Sequence, residues 1–213
     1  MKTLRSTYLF ALTAAFGVLA PMASADTYVL PFTDLVDGYM PGGTDIATLT
    51  IEDWGTDLVK ITLAHNSTST AGQFISDLWF NLDPFVAITQ GNQTCNDGSA
   101  VEFDTFGAAL DGHSNVGIQF DIHQTFKTSG DERLFPGEWI SFTLTGSGLN
   151  AADFLAFGQP TNGGWDNVIA MIHIQGVGEG GLNSGKFAVV PEPGSLAVVG
   201  LGLAALLRRR RFR

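Results

Sequence analysis

Apolar and polar residues alternate with a period of two in segment after segment of this chain, and only extended strands turn such residues to opposite faces. In TDLVKITLAH, Leu58, Lys60 and Thr62 fall on one face and Val59, Ile61 and Leu63 on the other. DIATLTIEDW sets Thr48 and Thr50 against Leu49 and Ile51. GQFISDLWFNL, AVEFDTF, NVGIQFDIHQ, EWISFTLTG, NVIAMIHIQG and GKFAVV are also of strand length, with Gly, Asn, Asp and Pro between them. Only LNAADFLAF, with Asn150 placed to cap it, reads as a short helix or helical turn. Many short strands, each with one half-buried face, predict an all-β fold. The expected form is an antiparallel two-sheet β-sandwich, jelly-roll-like, with a flattened barrel as the alternative.

The ends of the chain differ from its middle. MKTLRSTYLFALTAAFGVLAPMASA has basic Lys2 and Arg5, an apolar stretch over Leu9 to Ala20, and the small-x-small pattern Ala23-Ser24-Ala25. That order predicts a signal peptide over residues 1–25, cut by signal peptidase so that the mature chain begins at Asp26. A body over residues 26–188 follows, long enough for one domain with its own core. Between residues 26 and 190 there are 20 acidic side chains against the 4 basic ones Lys60, Lys127, Arg133 and Lys186, a net charge of −16. Such a surface repels phosphate backbones, so no nucleic-acid partner is expected. Cys95 is the one cysteine, so the exported body folds without an internal disulfide, and Cys95 reads as a loop residue.

Chemical motifs are sparse. GHSNVG places its second glycine one position too late for a nucleophile elbow. Asp121 and His123, two apart on a candidate strand, share the face opposite Ile118, Phe120 and Ile122, as on a solvated sheet face. His173 stands alone. FTDLVDGYMPGGTD and CNDGSA offer the oxygen ligands that calcium takes, but without the spacing of a calcium loop, so they read as turns. Trp54, Trp139 and Trp165 are candidates for stacking on sugar rings, whereas Trp79 reads as core. Glu102, paired with Asp104 or Asp121, is the best candidate for a hydrolase acting on polysaccharide. With 20 acids in the body such pairs arise by chance. The expectation is therefore a non-enzymatic protein with no catalytic residue, metal or cofactor assigned, and with a calcium- or carbohydrate-binding module as a further alternative.

Residues 189–213 combine three parts in a fixed order. Pro191-Glu192-Pro193 is a rigid, charged segment. Leu196 to Leu207 is apolar or glycine and, counted from Val190, makes a helix of roughly 18–27 Å, near the lower limit for crossing a bilayer. Arg208, Arg209, Arg210, Arg211 and Arg213 then form a stop that stays cytoplasmic and leaves the body outside. This order, in a chain with a signal peptide, resembles the PEP-CTERM sorting signal of Gram-negative bacteria. The resemblance implies that exosortase, an integral-membrane cysteine protease, reads Pro191, Glu192 and Pro193, with Glu192 as the recognised charge. It further implies anchoring in the inner membrane before processing, then a place at the cell surface or in the extracellular matrix, with exopolysaccharide and biofilm as the setting. The body, notably ISDLWFNLDP, resembles the β-rich domains that precede such tails.

Overall fold

The computed structural model describes residues 25–40, 46–66, 72–96, 110–113, 116–161 and 164–191. They form an all-β structure. The strands are β1 (Thr27–Pro31), β2 (Asp34–Gly38), β3 (Ala47–Gly55), β4 (Leu58–His65), β5 (Phe74–Phe80), β6 (Thr89–Cys95) and β7 (Leu110–His113). They continue with β8 (Ile118–Phe120), β9 (Ile122–Thr125), β10 (Trp139–Thr145), β11 (Gln159–Pro160), β12 (Ala170–Val177) and β13 (Asn183–Val189). One five-stranded sheet runs β1-β3-β4-β10-β6, a second runs β2-β13-β12-β5-β9, and a small sheet runs β11-β8-β7. All pairings are antiparallel.

The period-two pattern explains how the two large sheets meet. Leu49 and Ile51 of β3, Val59, Ile61 and Leu63 of β4, and Ile140, Phe142 and Leu144 of β10 are buried. From the second sheet, Leu78, Phe80, Ile172, Ile174 and Phe187 enter the same apolar cluster. Burying these side chains against one another, at about 1.5–3 kcal/mol each, drives the two sheets onto a shared core. β3–β4 and β12–β13 are hairpins. Five further steps along the chain, β1 to β2, β2 to β3, β4 to β5, β5 to β6 and β9 to β10, pass from one large sheet to the other.

A second apolar cluster lies on the outer face of the second sheet. Trp79, Met171 and Ala188 of that sheet pack there against Ile118 and Phe120 of β8. The small sheet thus covers part of a face that would otherwise be wet. Trp79 is buried, as its sequence context predicts, but in this outer layer rather than between the large sheets.

Several elements depart from the expectation. NVGIQFDIHQ is two strands, because the chain bends at Asp121 and passes from the small sheet to the second sheet. The bend is held by Asp121 Oδ2, which accepts from the Leu82 amide at 3.2 Å, and by the Asp121 amide, which donates to Asn81 Oδ1 at 3.3 Å. Cys95 ends β6 opposite Ile140 and packs against the core, so it is a strand residue and not a loop residue. Asp34–Gly38, in the acidic stretch FTDLVDGYMPGGTD whose composition predicts turns, is the edge strand β2. LNAADFLAF supplies a 3-10 helix, Ala151–Leu155, closed by a capping box between Asn150 and Asp153. Among the described residues no helix is long and apolar enough to cross a membrane. The expected transmembrane stretch Leu196 to Leu207, most of the expected signal peptide and the segment AVEFDTF lie outside the described residues.

Candidate functional site

β13 delivers the C-terminus to the edge of the body. The Ile169 amide donates to the Val189 carbonyl at 2.9 Å, Val190 packs against the outer cluster, and Pro191 follows half-buried. No linker separates the sheet from the rigid segment. Residues 189–211 match the PEP-CTERM protein-sorting motif. The motif therefore takes in the last residue of β13 and the tail, while the rest of the body lies outside it. No curated protein and no solved structure matches the chain. A PEP-CTERM motif marks an exported protein sorted by exosortase, held at the membrane and then passed to the surface. Of the expected motif residues, Pro191 is described; Glu192, Pro193, Arg208, Arg209, Arg210, Arg211 and Arg213 lie outside the described residues.

At the other end, Ala23 lies outside the described residues, whereas Ala25 and Asp26 are within them. The Asp26 amide donates to Asp53 Oδ2 at 3.1 Å, and the Asp53 amide donates back to the Asp26 carbonyl at 2.9 Å. Asp53 Oδ1 also accepts from the Ala151 amide at 2.7 Å, so one carboxylate ties the start of the body to the 3-10 helix Ala151–Leu155.

The body contains a polar row that the sequence hides. In the pairing of β5 with β12, Asp77 lies opposite His173 and Ile75 opposite Ile174, leaving Ser76 as an extra residue. This bulge resets the alternation. Asp77 accepts from His123 Nε2 at 2.9 Å, from His173 Nδ1 at 3.2 Å and from Ser76 Oγ at 2.6 Å. Burial alone would raise the Asp77 pKa, but these three hydrogen bonds and the nearby His123 charge hold it well below the usual carboxylate range. His123 also stacks on Trp79, with ring centroids 4.7 Å apart. It is therefore packed rather than solvated, and Asp121 is not its partner. Lys186, opposite His173 on β13, extends the row to Asp37 on β2 at 3.1 Å.

In this row Asp77 orients both imidazoles, and Ser76 Oγ also lies 3.0 Å from His173 Nδ1. The Ser76 hydroxyl is buried and bonded to Asp77, and both Asp77 oxygens are taken. Among the described residues no group of three or more His, Cys, Asp or Glu is arranged to hold a metal ion. Glu102 and Asp104 lie outside the described residues, and Asp121 serves the bend.

His173 also lines a cavity of about 860 Å³ formed by the β12–β13 hairpin, the entry to β5 and the segment around Arg133. Phe74, Gln175, Asn183 and Ser184 share its wall with several glycines. Gly176 has φ +77, and a Cβ there would run into the Gly72 carbonyl, so the wall needs glycine at this point. The three candidate tryptophans are exposed, at 57 % for Trp54, 37 % for Trp139 and 43 % for Trp165. They do not form one platform. Trp54 precedes Gly55, which pairs with Leu58, while Trp139 pairs with Ala64, about 20 Å further along β4. Lys60 Nζ already sits 4.4 Å from the centre of the Trp54 ring.

Proposed function

We propose that this chain is a non-enzymatic surface or extracellular-matrix protein, associated with exopolysaccharide or biofilm after exosortase has processed it. The observation that carries the proposal is the sorting motif at residues 189–211, joined directly to a folded β body. Export begins with a signal peptide over residues 1–25. Leu196 to Leu207 then holds the precursor in the inner membrane, with the terminal arginines on the cytoplasmic side. The jelly-roll-like reading of the body is supported by the repeated passage of the chain between the two large sheets. A binding role is supported by the cavity beside His173, walled by Phe74, Arg133, Gln175, Asn183 and Ser184.

The test is a pair of variants followed in the native host by fractionation and intact mass. Glu192→Ala with Pro193→Ala should leave export intact, abolish C-terminal processing and keep the uncut chain in the membrane. Replacing Arg208 to Arg211 by alanine should loosen orientation and retention before recognition, because those side chains act as an electrostatic stop. Processing and release of the motif variant at the wild-type rate would overturn the proposal.

A further inference from the structure

Arg133 is the exception among the cations of the body. Of the four basic side chains between residues 26 and 190, Lys60 pairs with Glu52 at 3.5 Å, Lys186 with Asp37 at 3.1 Å, and Lys127 with Glu132. Arg133 pairs with no carboxylate among the described residues, although the same stretch contains 20 acids. Its Nε donates to the Gly130 carbonyl at 2.9 Å, which fixes the plane of the guanidinium. Its Cζ lies 4.8 Å from the ring centres of both Phe74 and Phe135, and those two rings meet edge-on at 6.4 Å. Two aromatic rings and a backbone carbonyl thus hold the guanidinium, Arg133 lines the cavity, and no Nη donor has a protein acceptor among the described residues.

A planar fork of donors held in this way matches the two oxygens of a carboxylate. The rest of the wall selects what the carboxylate is attached to. Gln175, Asn183 and Ser184 provide side-chain donors and acceptors for hydroxyl groups, and Phe74 an apolar face. The net charge of −16 on the body disfavours any ligand bearing several negative charges, so a single charge on an otherwise neutral polyol enters at least cost. A cavity of about 860 Å³ also falls within the usual range for small-molecule sites.

We propose that this cavity binds a saccharide residue carrying one carboxylate, with its acid group on Arg133 and its hydroxyls on Gln175, Asn183 and Ser184. The inference rests on the binding role argued above and names its ligand class. Sorting is read by processing and this site by titration, so either can fail while the other stands.

The experiment titrates the purified mature chain with D-glucuronate by calorimetry, beside its neutral methyl ester, D-glucose and inorganic sulfate. Saturable binding of glucuronate is expected, weakened about tenfold or more by esterification and by Arg133→Gln, since each removes a charge-assisted fork. Arg133→Lys keeps the charge but loses the fork, and should bind glucuronate more weakly than wild type. No binding of glucuronate at millimolar concentration, or equal binding of acid and ester, would sink the proposal. Sulfate binding as tightly as glucuronate would reduce the site to a bare anion site and overturn the saccharide assignment. The ligand comparisons are made on the wild-type chain, so they decide the matter even if an Arg133 variant folds poorly.

Discussion

One carboxylate, Asp77, fixes two imidazoles that arrive from different strands, which makes it the side chain whose loss should be felt most widely. Asp77→Asn should destabilise the body by about 2 kcal/mol, because His123, His173 and Ser76 all lose a charged acceptor. The folded pKa of Asp77 lies below its ordinary value of 3.8, so its contribution is present above that pH and drains away as pH falls below it. Melting curves of wild type and variant should therefore converge in acid below about pH 3.8. His65 acts in a higher window. Burial holds its imidazole below the ordinary 6.5, against a smaller opposing push from the bond between Nδ1 and the Leu134 carbonyl, and its Nε2 is buried without a partner among the described residues. Stability should fall as pH drops below 6.5, and His65→Gln should flatten that part of the profile. A third expectation concerns Asp53. Cleavage before Asp26 would turn the amide that donates to Asp53 Oδ2 into an ammonium. Asp53→Asn should then cost about 0.5 kcal/mol more in a chain starting at Asp26 than in one starting at Ala25, as read by paired thermal melts.

At the level of elements, the β12–β13 hairpin depends on Gly176, where the pairing shifts register and φ is +77. Gly176→Ala should lower stability by about 2 kcal/mol and distort the cavity, which chemical denaturation of the variant would measure. The long strands were legible beforehand. β3, β4 and β10 carry their core residues at every second position, and one buried face is all that such a pattern needs to specify. What the pattern does not encode is the layer to which a buried residue goes. Phe120 and Ile122 share a parity, yet Phe120 enters the outer cluster and Ile122 the inner one, because the chain changes sheets at Asp121. The Asp77 cluster escaped for a related reason. His123 and His173 lie 46 and 96 residues from Asp77 and meet it only through cross-strand register and the bulge at Ser76. β2 and β6 were hidden by composition, since edge strands rich in Asp, Gly, Gln and Thr look like turns until a neighbour supplies their hydrogen bonds.

For the molecule as a whole, the tail was the most legible part, because charge, rigidity and apolar length occur there in an order that survives without any tertiary context. Its junction with the body has a consequence for processing. Val189 is at once the last residue of β13, a member of the core and the first residue of the sorting motif. A cut on the N-terminal side of Val189 would strip a core residue from the sheet, at a cost of about 1.5–3 kcal/mol for a buried valine. A cut beyond it would leave the sheet whole. The mass of the surface form should therefore place its C-terminal residue at or after Val189, and a form ending earlier should melt at a lower temperature. The folded sheet acts as a ruler for its own release: it sets how deep a protease can bite before the product begins to unravel.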